Sequence, residues 1–203
     1  MSDPDWDRLD AAWIPARSAG VLGSASIEEL RRHAAGYVPA ACGVLERCVD
    51  LGSGAGVPGV ILALLHPGSF WLLVDASERR CSLLQRVVHE MALDGRVEVH
   101  HARAEDVGHD VAYRETADLV VARLLGPLAE TVEMATPLLA SDGVAVISVD
   151  GPSAAAATAA RIPELSLHVR REASGEYLDV RRLGPVPSSW PRRTNARRRA
   201  PLF

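Results

Sequence analysis

Short apolar runs recur along the chain, each followed by a turn signal and a stretch with helical spacing. The run from Val44 predicts a strand to Leu51, a glycine-rich turn, and a helix over Pro58–Leu65. Further strands are predicted over Phe70–Asp75, Val97–His101, Ala117–Ala122 and Val144–Val149. Between them, Leu83, Leu84, Val87, Val88 and Met91 fall at helical spacing in a segment from Glu78 to about Leu93. A shorter helix or loop is expected up to Tyr113, and a helix from about Pro127 to Leu139 ahead of the turn Ser141-Asp142-Gly143. The alanine-rich Pro152–Ala160 predicts helix. Two late strands, Leu167–Arg171 and Glu176–Leu183, flank the turn Ala173-Ser174-Gly175. Repeated strand–helix units imply a parallel sheet covered on both faces, and a short turn makes the closing pair antiparallel. The expected fold is α/β: a Rossmann-like, doubly wound, mostly parallel sheet with a late antiparallel hairpin.

Residues 1–40 are expected to form a short helical extension, in which Ser26 caps a helix with Glu28 and Glu29 in its first turn. Residues 41–184 form the expected main domain. Residues 185–203, rich in proline and arginine, are expected to be an extended, mobile tail. Hydrophobic residues make up 48% of the 203, enough for a real core. No apolar run is long enough to span a bilayer, and the acidic N-terminus lacks a signal-peptide pattern, so no membrane partner is expected. Cys42, Cys48 and Cys81 form no C-x-x-C pair, which fits buried thiols in a reducing cytoplasm, the expected location.

All 22 basic residues are arginine, and the net charge is −4. The distribution is uneven. After Asp179 there is no acid but there are Arg181, Arg182, Arg192, Arg193, Arg197, Arg198 and Arg199. This suggests a local basic surface on an acidic body.

The densest chemistry lies in Asp50-Leu51-Gly52-Ser53-Gly54-Ala55-Gly56-Val57-Pro58-Gly59. Glycines let the backbone approach a ligand closely, and Pro58 suits a first helical turn. An acid at the strand end followed by G-x-G-x-G resembles the opening of the cofactor site in S-adenosylmethionine (SAM) methyltransferases. A dinucleotide enzyme is the nearest rival, because Gly54 to Gly59 also matches G-x-G-x-x-G. That match falls late relative to the strand, and Asp50 stands where a pyrophosphate would not want a carboxylate. Asp75 ends the next strand, where an acid can accept hydrogen bonds from ribose hydroxyls. Ala104 and Glu105 follow the third strand, where such enzymes line the adenine. Arg123 ends the fourth, where it can hold an anionic substrate or the cofactor carboxylate. The seven histidines show no metal-ligand spacing, and no metal is expected.

These motifs resemble one family, the glucose-inhibited division protein B family of 16S rRNA guanine-N7 methyltransferases (rRNA small-subunit methyltransferase G). Its glycine loop, Asp-x-Gly-Ser-Gly-x-Gly-Phe-Pro-Gly, is similar to Asp50–Gly59. Leu73-Val74-Asp75, Ala102-Arg103-Ala104-Glu105, Ala122-Arg123-Leu124 with Pro127-Leu128, and the arginine-rich Pro191–Leu202 resemble its later blocks. Departures are Val57 for the usual Phe or Leu, Asp150-Gly151 for the usual Lys-Gly, and an N-terminal region without the family's signatures.

The resemblance implies a class I SAM-dependent methyltransferase fold, with SAM held by Asp50, Gly52, Gly54, Gly56, Val57, Asp75, Ala104, Glu105 and Arg123. It implies 16S rRNA or the small ribosomal subunit as partner, with Arg123, Arg192, Arg193, Arg197, Arg198 and Arg199 on the RNA side. Guanine N7 carries a free lone pair, so no catalytic acid or base is named. Two other readings stay open: a paralogue methylating a small molecule or another RNA, and a non-catalytic SAM- or RNA-binding module.

Overall fold

The most apolar strands lie at the middle of the sheet, because only there are both faces covered. In a computed structural model describing residues 3–203, β4 (Ala117–Ala122) is buried along nearly its whole length. β1 (Arg47–Leu51) and β5 (Leu139–Val149) flank it in parallel. Met1 and Ser2, part of the extension expected over 1–40, lie outside the described residues. β2 (Phe70–Asp75) and the more polar edge strand β3 (Val97–His101) continue the sheet beyond β1. The hairpin of β6 (Leu165–Glu172) and β7 (Gly175–Arg182) closes the other end, with β7 antiparallel to β5. The order is β3-β2-β1-β4-β5-β7-β6, so the direction of winding reverses between β1 and β4. Ligands of doubly wound sheets bind at that reversal, beyond the carboxyl ends of the strands. The expected fold class is the observed one.

Successive residues on a strand point to opposite faces, and two cores result. Cys48, Leu119, Val121, Val144 and Val146 pack under the N-terminal helices, α4 (Gly59–Leu65) and α5 (Glu78–Glu90). Val49, Leu51, Val120, Ala145 and Ile147 pack under the helices of the other face, which follow β3, β4 and β5.

The extension contains α1 (Trp6–Ala12), α2 (Ile14–Ser18) and α3 (Ile27–Ala35). The expected cap is present: the Glu29 N–H donates to Ser26 Oγ and the Glu29 carboxylate accepts from the Ser26 N–H, a complete capping box. Trp13, fully buried, donates its indole N–H to the Ala55 carbonyl at 2.7 Å. The extension is thereby fixed to the glycine loop, a contact no local pattern signals.

Two expectations are corrected. Ser141-Asp142-Gly143 is not a turn before the fifth strand; it lies inside β5, which starts at Leu139. The register against β4 shifts between Ala117 and Leu119, and a Cβ at Gly143 would fall 2.4 Å from the Ala117 carbonyl oxygen. The irregular pairing thus requires glycine, and the turn-like composition marks a bulge. The tail is not an extended strip either. Val186 and Trp190 are buried, and residues Thr194–Arg199 form a helix that closes on the body. The physical reason is that its arginines find carboxylates on the body.

Candidate functional site

β1 delivers Asp50 and β2 delivers Asp75 to the same end of the sheet, with the glycine loop between them. The loop is tied to β2 by backbone bonds: the Gly52 and Ser53 N–H groups donate to the Val74 carbonyl at 2.8 and 2.9 Å. Asp75, 4% exposed, accepts from the Gly54 N–H at 3.0 Å through Oδ2 and from the Ser77 N–H at 2.9 Å through Oδ1.

The glycines differ in what they do. Gly54 has φ +56°, and a Cβ there would meet only the Gly52 carbonyl oxygen, at 3.9 Å. It faces open space. At Gly56, φ +93°, a Cβ would collide with Val60 and Leu84 at 2.4 and 2.8 Å. Gly56 therefore serves close packing of loop on helix, while Gly54 leaves room on the outer side.

Asp50 is 1% exposed. Its Oδ2 accepts from the Gly59 N–H at 2.9 Å, and its Oδ1 has no partner among the described residues. Burial pushes this carboxyl up to about 7, against the opposing pull of the Gly59 N–H and the Arg123 charge. Arg123 is half-buried and donates through Nε to the Val57 carbonyl at 3.2 Å. The Val57 side chain is buried in the core.

A cavity of about 410 Å³ opens at this end of the sheet. Gly52, Asp75, Ala104 and Glu105 line it from one side, and Leu124 and Leu125 from the loop after β4. Ala104 and Glu105 start α6 (Ala104–His109). Asp50, Gly54, Gly56, Val57 and Arg123 are beside this lining rather than in it. A larger cavity of about 810 Å³ lies at the amino ends of β1, β2 and β3, among Arg47, Phe70 and Val97. It contains none of the candidate residues, and the fold directs ligands to the opposite strand ends.

The remaining side of the smaller cavity comes from the C-terminal helix, α9 (Thr194–Arg199; α7 is Leu128–Ala135 and α8 Gly151–Ala159). Thr194 Oγ1 donates to Glu105 Oε1 at 2.9 Å, and the Arg197 guanidinium donates to the same oxygen. Burial pushes the Glu105 carboxyl up, but the Arg197 and Thr194 bonds outweigh it and hold the group below the usual range. Arg197 is 1% exposed, with Glu130 of α7 at 3.6 Å from its Nε. Arg192 makes a two-pronged pair with the fully buried Glu133, at 2.9 and 2.6 Å.

Five arginines of this segment were expected on the RNA side. Arg197 is buried and Arg192 is committed to Glu133, so neither is free for phosphate. Arg193, Arg198 and Arg199 face solvent. Sequence reasoning missed Thr194, and also Arg114, which donates to the Trp190 and Pro187 carbonyls at 2.8 and 3.0 Å and holds the segment down. No local signal marks either residue. Among the described residues, no group of three or more histidines, cysteines or acids is placed to hold a metal. No helix among them is long and apolar enough to cross a membrane.

Comparison with known proteins gives a consistent result. Residues 36–168 match the GidB family model, described as rRNA small subunit methyltransferase G. The chain is 31% identical over 168 residues to the ribosomal RNA small subunit methyltransferase G of Thermoanaerobacter sp. (strain X514), covering 77% of this chain and 70% of that one. Among solved structures it is similar to a methyltransferase from Geobacter sulfurreducens (TM-score 0.64, 15% identity, 89% of this chain and 92% of that one). It is also similar to a SAM-dependent methyltransferase from Thiobacillus denitrificans in complex with S-adenosylhomocysteine (TM-score 0.51, 19% identity, 73% and 56%).

Proposed function

The chain belongs to the rRNA small subunit methyltransferase G family, and on that premise we propose that it transfers a methyl group from SAM to N7 of a guanine in 16S rRNA. The observation that carries the reading is the cavity of about 410 Å³ at the switch point, with Asp75 in its lining and an open-sided glycine loop next to it. Its size lies within the range of small-ligand sites. The residues fit the cofactor. Each Asp75 oxygen accepts one backbone N–H and retains a further lone pair for a ribose hydroxyl. Gly54 leaves unfilled space where a side chain would intrude.

In this reading Asp75 binds the ribose, while Ala104 and Glu105 flank the adenine. Thr194 and Arg197 hold the Glu105 carboxylate in one orientation and keep it ionised. Leu125, half-buried in the loop after β4, covers the cavity and excludes water. Asp50 and Arg123, which brace the glycine loop from behind, set the electrostatics of the reacting end. Bound there, SAM would supply an electrophilic methyl to an acceptor lone pair, the S–C electron pair staying with the sulfur of the neutral leaving thioether. Guanine N7 has that lone pair without losing a proton, so the chain contributes alignment and water exclusion rather than a general base. The solvent-facing Arg193, Arg198 and Arg199 would meet phosphates, positioning RNA without reading its sequence. A ribosomal substrate, free or in the small subunit, puts the work in the cytoplasm.

The test is methyl transfer from radiolabelled SAM to 16S rRNA and to small subunits from a strain lacking the gene, with the labelled base identified by mass spectrometry. Label on N7 of a guanine is expected. Label on a small molecule alone would favour the paralogue reading, and SAM binding without label would favour the binding module.

A further inference from the structure

Beside the cofactor cavity lies a second one, of about 250 Å³, at the carboxyl end of β5. The two share a wall made by Leu124, Leu125 and Gly126. Leu128, Ile147, Ser148 and Asp150 line the rest of the second cavity. Asp150 lines the second cavity only.

One feature of this lining is not explained by the fold, and a second leaves a carboxylate oxygen to spare. Leu124 is 88% exposed and has φ +55°, the left-handed region that a side chain with a Cβ rarely adopts. A leucine gains nothing there: it forgoes burial and carries backbone strain that glycine would avoid. Asp150 caps α8 through one oxygen, which accepts from the Ser153 N–H at 2.9 Å. Bonds from Ser153 hold its carboxyl below the usual range, so it is ionised at neutral pH. Its side chain is otherwise exposed.

We propose that this second cavity is the pocket for the flipped acceptor base, with Leu124 packing on the face of the purine and Asp150 accepting hydrogen bonds from its Watson–Crick edge. The inference rests on the methyltransferase reading above and specifies where its substrate binds. Enzymes that modify a base inside RNA or DNA take it out of its stack, hold it between apolar side chains and read its Watson–Crick edge. A carboxylate that lines the second cavity and not the first suits guanine. N7 lies on the side of the ring opposite the N1–H and the 2-amino group. A guanine entering with N7 toward the shared wall therefore presents two donors away from the cofactor, and Asp150, which lines this cavity alone, accepts them. An ionised carboxylate only accepts, which matches those donors. Adenine presents the N1 lone pair at that position, which a carboxylate repels.

Two variants test the pocket, each measured for methylation kinetics on 16S rRNA, SAM affinity and Tm. Leu124→Gly suits the left-handed backbone, so its Tm should hold or rise. Its KM for RNA should increase about tenfold with the loss of a leucine contact to the base, and its SAM affinity, read on the shared wall, should fall by much less than that. Asp150→Asn retains a capping oxygen for the Ser153 N–H, so Tm should hold while kcat/KM on RNA falls about tenfold. Wild-type kinetics in both variants would overturn the pocket while leaving the methyltransferase reading intact. Activity losses accompanied by equal losses in SAM affinity, or explained by a drop in Tm, would overturn it as well. A wild-type protein that binds SAM but labels no RNA overturns the broader reading and the pocket together.

Discussion

The two sides of the proposed cofactor cavity are built on different principles. The glycine-loop side is local. Asp50, Gly54, Gly59 and Asp75 meet within a span of twenty-odd residues, through backbone N–H groups donating to two carboxylates. The C-terminal side is long-range. Arg192 reaches Glu133 and Arg197 reaches Glu105, partners 59 and 92 residues away in sequence, through charged side chains. The first side is fixed by strand ends and a tight turn. The second depends on ion pairs in which the carboxylates are more buried than chemistry in water would allow them to be unpaired. Binding on one side therefore tolerates little backbone change, and on the other little charge change.

The largest effect should come from breaking the second side. Arg192→Ala leaves Glu133 buried with no counter-charge, and unfolding in denaturant should show a loss of about 3–5 kcal/mol. An unchanged midpoint would mean that the C-terminal segment is only draped on the body, and the contrast between the sides would collapse.

This contrast also accounts for what the sequence disclosed. Phe70–Asp75, Val97–His101 and Ala117–Ala122 appear as strands at their expected ends, because short apolar runs there are bounded by residues that end them. Asp75 was legible because its position at a strand end is itself a pattern. The start of β5 was not, since Ser141-Asp142-Gly143 has the composition of a turn and only the pairing with β4 reveals a bulge. The seating of the tail was not legible either. A cluster of arginines without acids nearby reads as a free basic strip until distant Glu105, Glu130 and Glu133 are known to be beside it. Likewise, nothing around Trp13 announces its bond to Ala55. Of the candidate site residues, those at strand ends were readable as a set, and Thr194 and Arg114 were not.

The next effect sharpens the first side. Asp75→Ala removes the acceptor for two backbone N–H groups and the proposed acceptor for the ribose, and calorimetry should show SAM affinity falling by roughly 1–3 kcal/mol. An unaltered affinity would move the ribose elsewhere in the cavity.

A smaller effect concerns Asp50 and depends on pH. Its carboxyl is raised in the folded chain, so the folded protein binds the proton more tightly than the unfolded one. That contribution is fully present below the unfolded value near 4 and is lost as pH rises through about 7. Asp50→Asn keeps an oxygen for the Gly59 N–H and carries no charge. It should therefore be more stable than wild type at pH 8, with the difference shrinking toward pH 4. Thermal melts across that range would show it, and a difference independent of pH would place the stabilisation outside Asp50 ionisation.

The smallest effect is expected at the solvent-facing arginines. Arg199→Gln should reduce the salt slope of RNA binding by about one, with SAM affinity and Tm unaltered. A change in SAM affinity instead would assign that residue to the cavity.

The most direct measurement is a calorimetric titration of SAM into wild type and Arg197→Gln, with Tm recorded for both. If the cavity is closed by the C-terminal segment through Glu105, the wild-type protein binds SAM, and the folded variant binds it roughly tenfold more weakly. No SAM binding by wild type, or equal affinity in a variant that remains folded, would contradict a cofactor site made of these two sides.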